Sequence, residues 1–158
     1  LARMFLYSVQ KKISFLSTLD AVALSMPIGL GLVRLGNFLN GELFGKPTNG
    51  SWGFIFPTDP YGYPRHPSQI YELILEGFVL FYVLYLVSKL KPKPGVVASS
   101  LLVFYGLFRF SVEFFREPDA HLGYLTFNLS MGQILSLPMI IIGIILVLFF
   151  SNKYAKLS

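Results

Sequence analysis

Residues 131–150 read MGQILSLPMIIIGIILVLFF, a run without a charged side chain that is long enough to cross a lipid bilayer as a helix. It is the most apolar of four such segments, and the others lie at about 19–39, 70–87 and 96–115. Because a membrane-spanning backbone must satisfy its own hydrogen bonds, we expect each segment to be helical. The sequence therefore predicts an all-α fold, a polytopic membrane bundle of about four transmembrane helices.

The composition also indicates a membrane protein. Of the 158 residues, 54% are hydrophobic and only 13% are charged, whereas about 25% of the residues in a soluble domain are charged. The basic residues group at the ends of apolar segments, which fits membrane orientation better than nucleic-acid binding. We expect a monomer with no nucleic-acid partner. The chain has no cysteine, so any thiol in its chemistry must belong to another molecule.

The positions of lysine and arginine predict how the chain is oriented. They flank the first segment, separate the second from the third and follow the fourth: Arg3, Lys11, Lys12, Lys89, Lys91, Lys93, Lys153 and Lys156. With four crossings all of these lie on one side, which the positive-inside rule makes cytoplasmic, together with the C-terminus. Residues 41–68, rich in Gly, Pro and aromatic residues, then form an irregular cap that faces outward.

Ionisable residues near the outer ends of the spans are candidates for function, since they are costly in a membrane. Arg34 lies near the outer end of the first segment. In the outer half of the third segment and just beyond it, Arg109, Glu113 and Arg116 share one helix face. Tyr105 lies one turn earlier on that face. An excess of arginine at this depth suits a phosphate, which a guanidinium binds bidentately. The alternatives are a self-neutralising Arg109–Glu113 pair and an interfacial Arg116 that snorkels.

Other polar residues have plainer interpretations. Glu72 and Glu76, with Gln69 nearby, would hold the second helix against its neighbours. Asp20 would start its own helix, because acidic groups favour helix N-termini. His66 is a candidate general base near neutral pH, or simply a structural loop residue.

The stretch RLGNFLNGELFG, residues 34–45, is unusually polar for the end of an apolar segment. Its three glycines allow close backbone approach or a positive φ. Its two asparagines, Asn37 and Asn40, can pin the backbone of a helix end or hydrogen-bond a ligand. By pattern alone, a capped helix terminus and a ligand site both stay open.

This stretch resembles the signature of prolipoprotein diacylglyceryl transferases, Gly-Arg-hydrophobic-Gly-Asn-Phe-hydrophobic-Asn-x-Glu, with Val33 in place of the first glycine. Three further stretches resemble the family in the same order: RHPSQIYELILEG at 65–77, FYGLFRFSVEFFREPDA at 104–120 and SMGQILSLP at 130–138. Together the four motifs cover roughly residues 20–150.

The resemblance implies a transferase that moves a diacylglyceryl group from phosphatidylglycerol to the lipobox cysteine of a bacterial prolipoprotein. A thioether forms and glycerol phosphate leaves. The implied partners are these two substrates and membrane lipids, with no metal or organic cofactor. The implied location is the plasma (inner) membrane, with the active face toward the periplasm or the cell exterior.

The resemblance also implies roles for particular residues. Arg34 and Arg109 would hold the lipid phosphate and stabilise the charge that develops as it leaves, while Glu113 would orient Arg109. Those implied to be catalytic are Arg109, Tyr105 and Glu113. Those implied to bind phosphatidylglycerol are Arg34, Asn37, Glu42, Gly45 and Arg116. Further candidates are His66, Gln69 and Glu72.

Family members are longer and have seven spans, so the resemblance implies that residues 1–158 are one membrane domain equivalent to the C-terminal part. The family's His-Gly-Gly motif, whose histidine is a candidate base for the thiol, has no match here. A non-catalytic phosphatidylglycerol-binding fragment is therefore the alternative to a working transferase. A small channel is disfavoured, because the charges gather at one face and not along a path through the membrane.

Overall fold

The computed structural model describes residues 14–117 and 129–153 and confirms a helical membrane bundle. Four helices are α1 (Phe15–Asn40), α2 (Ser68–Lys89), α3 (Val96–Val112) and α4 (Met131–Lys153). Helices α1, α2 and α4 are each long and apolar enough to cross a membrane. Helix α3 has 17 residues and ends at Val112, three residues before the predicted end of its segment. The basic residues predicted at 3, 11, 12 and 156 lie outside the described residues, as does the side chain at 153.

Helix α2 changes its winding along its length. Residues Ser68–Glu72 and Leu80–Lys89 are α-helical, whereas Leu73–Val79 form a π-helix. Within the π-helix, Gly77 lies against Gly31 of α1, where an added Cβ would come within 3.1 Å of the Gly31 Cα. Small residues let membrane helices approach closely. This glycine contact therefore brings the backbones of α1 and α2 together close to the polar residues described below.

The hydrophobic core lies between the first three helices. Its buried members are Ala23, Leu80, Leu84, Val97 and Leu101. Helix α4 packs along α3, and its outer apolar side chains, among them Ile141, Ile145 and Leu148, are exposed. An exposed apolar surface of this kind is what a helix needs where it contacts lipid.

Asp20 caps a different helix from the one predicted. It lies within α1, past the first turn, so the prediction that it starts its own helix is wrong. Its carboxylate accepts hydrogen bonds from Gly95 N at 2.7 Å and from Ala98 N at 2.8 Å, at the N-terminus of α3. The first N–H groups of a helix have no partner within it, and a carboxylate both accepts from them and complements the helix dipole. Asp20 thereby joins α1 to the start of α3.

The segment between α1 and α2 is more regular than predicted. It contains an antiparallel hairpin of β1 (Phe54–Ile55) and β2 (Pro64–Arg65). Phe56, which is 1% exposed, packs against the rings of Phe38, Phe44 and Phe54. This aromatic cluster joins the hairpin to the last turn of α1. The hairpin and its flanking residues, 41–67, are called the cap below, and the end of the bundle beside them is the cap end.

We predict that Asp20→Ala lowers the free energy of unfolding by about 1 kcal/mol, because the N-terminus of α3 loses its capping carboxylate. Asp20→Asn, which keeps one acceptor oxygen, should lose less. The measurement is denaturant unfolding in detergent micelles. Ser25→Ala is the control, since the Ser25 hydroxyl is exposed and donates to Val22 O within its own helix. Equal stability of Asp20→Ala and Ser25→Ala would contradict the cap.

Candidate functional site

Six charged side chains from three parts of the chain meet at the cap end of the bundle. The cations are Arg34, Arg109 and Arg116, and the anions are Glu72, Glu76 and Glu113. Helix α1 supplies one of them, α2 supplies two, and α3 with the turn that follows it supplies three. The formal charges of this arginine–glutamate cluster therefore balance. The sequence indicated an excess of positive charge because neither glutamate of α2 was predicted to pair with the arginines.

Glu72 is the centre of the cluster. It is fully buried, and its Oε2 lies 3.2 Å from Arg34 Nε. Its Oε1 accepts a hydrogen bond from Arg109 Nη1 and lies 3.4 Å from Arg116 Nη1. One carboxylate thus contacts all three guanidinium groups, so Glu72 both holds α2 against its neighbours and sets the spacing of the arginines.

Glu76 adds a second buried carboxylate one turn further along α2. Its oxygens lie 3.6 Å from Arg34 Nε and 3.6 Å from Arg109 Nη1. The π-helix begins between Glu72 and Glu76, and its turn is wider than an α-helical turn. Both carboxylates consequently face the same two arginines. Glu76 was not among the predicted site residues, because the sequence indicated for it only a role in helix packing.

The ion pair predicted between Arg109 and Glu113 is present. Arg109 Nη2 lies 3.1 Å from Glu113 Oε2. The pair does not simply neutralise itself, because Arg109 also contacts both glutamates of α2. At the start of α4, a Cβ on Gly132 would lie 2.6 Å from the Glu113 carboxyl carbon. Gly132 therefore leaves the space that this carboxylate occupies, a role that the sequence did not reveal.

Arg116 does not snorkel to the surface. Its side chain is 10% exposed and reaches inward to Glu72. Its backbone forms an isolated β-bridge with Gly45 in the cap. The interpretation of Arg116 as a merely interfacial arginine is therefore wrong.

The stretch 34–45 ends α1 and enters the cap. Gly41 has a φ of 69°, and the N–H of Glu42 donates to Asn37 O at 2.8 Å, which closes the helix C-terminus. Gly45 is buried where a Cβ would lie 2.5 Å from Phe115 O. The backbone of the stretch thus forms a capped helix end, while its first residue, Arg34, enters the cluster.

The remaining predicted residues lie around this centre. Gln69 is buried and donates from Nε2 to the carbonyl oxygen of Glu42 at 2.6 Å, whereas the Glu42 residue as a whole is exposed. Asn37 is half-buried, and its carbonyl takes part in the helix cap. Tyr105 is half-buried and packs against the hydrophobic core.

His66 faces a different space from the cluster. Its Nδ1 lies 3.1 Å from the Tyr71 hydroxyl. Both residues line an apolar cavity of about 370 Å³ between the cap, α2 and the end of α3. Tyr71 faces this cavity while its neighbour Glu72 faces the arginines, so the start of α2 separates the two spaces. Within the described part of the chain, no cluster member lines the cavity.

Arg65 is a charged residue of the cap that sequence reasoning missed, since it was predicted only as part of the motif at 65–77. Its side chain is 4% exposed and pairs with Asp59, whose Oδ2 lies 2.6 Å from Arg65 Nε. It also pairs with Glu117, beyond the end of α3. The hydrogen bond from Arg65 lowers the pKa of Asp59 below its ordinary value, in spite of burial. The hydrogen bond with Asp59 raises the pKa of Arg65.

The fold and the cluster define a class: a polytopic helical membrane protein with a buried cluster of charged residues at one end, a feature typical of functional sites in membrane proteins. The family model of prolipoprotein diacylglyceryl transferase matches residues 1–149, and the chain belongs to this family. It is a family of transferases, and the resemblance inferred from the motifs is confirmed.

Proteins named phosphatidylglycerol–prolipoprotein diacylglyceryl transferase are close relatives. The relative from Geobacter sulfurreducens is 54% identical over 144 residues, which cover 91% of this chain and 55% of the relative. One from Pseudomonas fluorescens SBW25 is 56% identical over 135 residues, covering 83% and 50%. One from Bordetella parapertussis is 50% identical over 146 residues, covering 92% and 56%. The chain thus spans about half the length of these relatives.

We predict that Glu72→Gln lowers the free energy of unfolding by about 3–5 kcal/mol, because it leaves buried guanidinium groups without their shared carboxylate. The measurement is denaturant unfolding in detergent. Glu42→Gln is the control, since Glu42 is exposed. The double variant Glu72→Gln/Arg116→Gln restores the charge balance and should recover part of the loss. Similar stabilities of Glu72→Gln and Glu42→Gln would show that the cluster is not held by Glu72.

We also predict a stability loss in the cap at low pH. Because the pKa of folded Asp59 lies below the ordinary 3.8, its carboxylate stabilises the cap above that value. This contribution is lost as the pH falls through the lowered pKa. Trp52 is the single tryptophan, and its fluorescence reports the melting of the cap. The melting temperature should fall as the pH is lowered below about 4. The dependence should be weaker in Asp59→Asn, and an identical profile in that variant would contradict the assignment.

Proposed function

We propose that this chain provides the phospholipid-binding part of diacylglyceryl transfer from phosphatidylglycerol to the lipobox cysteine of a bacterial prolipoprotein. The observation that carries this proposal is the meeting of Arg34, Arg109 and Arg116 at one end of a membrane bundle. Guanidinium groups bind phosphate oxygens with paired hydrogen bonds, and three of them converging at the cap end suit a lipid phosphate.

A charge-balanced cluster is compatible with phosphate binding. The three arginine side chains are 13%, 15% and 10% exposed, so each keeps an accessible edge. Arg34 Nε is buried beside Glu72 and Glu76, so a phosphate oxygen would meet the exposed part of the Arg34 side chain and not this atom. The carboxylates hold the arginines in place, which reduces the ordering needed when the lipid binds.

In the proposed reaction, the substrate thiolate attacks the glycerol carbon that bears the phosphate ester. A C–S bond forms, the C–O bond breaks, and negative charge develops on the departing glycerol phosphate. Arg34 and Arg109 stabilise this charge electrostatically, while Glu113 keeps Arg109 oriented. Tyr105 lies one helical turn from Arg109, and we assign it to the same catalytic face.

The substrate thiol must also lose its proton, since a cysteine thiol has a pKa of about 8.5. We assign the base to the part of the relatives' length that this chain does not span. His66 is the second choice. The nearness of its Nδ1 to the Tyr71 hydroxyl favours it, but its position in the apolar cavity, separate from the arginines, does not.

We further propose that the cap end faces the periplasm or cell exterior and that the C-terminus is cytoplasmic in the inner membrane. Support comes from Lys89, Lys91 and Lys93, which lie between α2 and α3 at the end of the bundle opposite the cap. The proposed partners are then phosphatidylglycerol from the outer leaflet and the lipobox of a prolipoprotein. We propose that the protein acts as a monomer.

A second candidate is a phosphatidylglycerol-binding protein without transfer activity. The observation in its favour is that His66, the second-choice base, lines an apolar cavity separate from the arginines. It would use the same three arginines, and only the thiol chemistry would be absent.

The test reconstitutes the chain in vesicles with radiolabelled phosphatidylglycerol and a lipobox peptide, alone and with the N-terminal half of the Geobacter sulfurreducens relative. We expect thioether-linked lipid in the complemented sample. Arg34→Ala or Arg109→Ala should lower the rate by about 100-fold or more, because each removes charge stabilisation from the leaving phosphate.

Lys89→Ala is the matched control, since it removes a cation from the opposite end of the bundle. Rates unchanged by both arginine substitutions would refute the roles given to them. Phosphatidylglycerol binding without transfer, even in the complemented sample, would favour the second candidate.

A further inference from the structure

Arg65 forms a separate ionic network within the cap. Its Nε and Nη2 donate to the two carboxylate oxygens of Asp59 at 2.6 and 3.2 Å. Its Nη1 reaches the Glu117 carboxylate and the carbonyl oxygen of Gly45, the latter at 3.4 Å. The Phe44 ring lies 4.7 Å from the guanidinium carbon. The side chain thus contacts four residues at the cap end and leaves almost none of its surface exposed.

The backbone around Gly45 explains what this network holds together. Gly45 N donates to His66 O at 2.9 Å on one side, and Lys46 N donates to Phe115 O at 2.9 Å on the other. Residues 45–46 therefore lie between the end of the hairpin and the turn after α3. Arg65 reaches across this middle segment to Glu117, so its guanidinium clamps all three segments.

The clamp ends next to the arginine–glutamate cluster. Glu117 follows Arg116 directly in the chain, and Arg116 is bridged to Gly45 through its backbone. The Arg116 side chain then contacts Glu72 at the centre of the cluster. Arg116 therefore belongs to the arginine–glutamate cluster and Glu117 to the Arg65 network. Because the two residues are consecutive, a shift of Glu117 must also move Arg116.

We propose that Arg65 is a positioning residue for the anionic phospholipid site: it holds residues 116–117 against the cap and so keeps the Arg116 guanidinium beside the lipid phosphate. This inference rests on the proposed function. Arg65 is too buried to touch the lipid and acts through Arg116. The rigid guanidinium fork suits this task, because it serves Asp59, Glu117 and Gly45 at once, which an ammonium group cannot do in one plane.

The test measures binding of short-chain phosphatidylglycerol in phosphatidylcholine micelles by isothermal titration calorimetry. We expect Arg65→Gln and Arg116→Gln each to raise the Kd by roughly tenfold, the range of a lost charge-assisted hydrogen bond. The double variant should bind no more weakly than Arg116→Gln alone, because residues that act through one contact are not additive. Arg65→Lys should lie between wild type and Arg65→Gln.

Two further variants keep the test decisive. Glu117→Gln leaves the Asp59–Arg65 pair intact and removes the ion pair of Arg65 beside Arg116, so it should also raise the Kd. This variant provides the test if Arg65→Gln fails to fold. Phe56→Leu destabilises the cap through its aromatic cluster without touching an ionic group. At a temperature where all variants are folded, Phe56→Leu should keep the wild-type Kd.

The outcomes separate the inference from the function on which it rests. Three results would overturn the positioning role alone. The first is a Kd in the double variant that is raised by the product of the two single effects, and the second is an unchanged Kd in Arg65→Gln. The third is a Kd in Phe56→Leu that rises as much as in Arg65→Gln. A wild-type protein without preference for phosphatidylglycerol over phosphatidylcholine would overturn the proposed function and this inference together.

Discussion

A carboxylate buried in a membrane bundle must have cations beside it, and the contact of Glu72 with three arginines is the interaction on which the cap end depends. The contact requires three elements to approach closely. Gly31 and Gly77 allow α1 and α2 to touch, and Gly132 leaves room for Glu113. These glycines are therefore part of the polar site even though they carry no functional group.

The cap is tied to this cluster through backbone as well as charge. Gly45 fits between His66 and Phe115 only because it has no side chain, and this close fit brings the cap onto the end of α3. Arg65 then secures the same junction with its buried guanidinium. The arginines that we propose bind lipid and the loop above them thus form one connected unit, so the cap adjoins the proposed site.

Much of the site was predictable because its strongest signals are local. The i, i+4 spacing of Arg109 and Glu113 places them on one face, and the structure has their ion pair. The same i, i+4 spacing places Glu72 and Glu76 on one helix face, but it could not show which cations the two carboxylates contact. The contacts of Arg116 with Glu72 and of Arg65 with Glu117 were not predicted, because these partners lie in other segments and no local spacing reports them. The roles of Tyr105, Asn37 and Glu42 stay predictions.

By itself, the sequence determined that the chain is a helical membrane bundle of this transferase family, with charged groups gathered at one end. Hydropathy and short motifs are properties of contiguous residues, so they need no knowledge of packing. Only the tertiary structure decided that Asp20 accepts a hydrogen bond from Gly95, 75 residues later at the N-terminus of α3, and that Glu72 meets Arg109 across 37 residues. Helix packing determines such partners, because a charged side chain can be buried only where the folded chain places an opposite charge beside it.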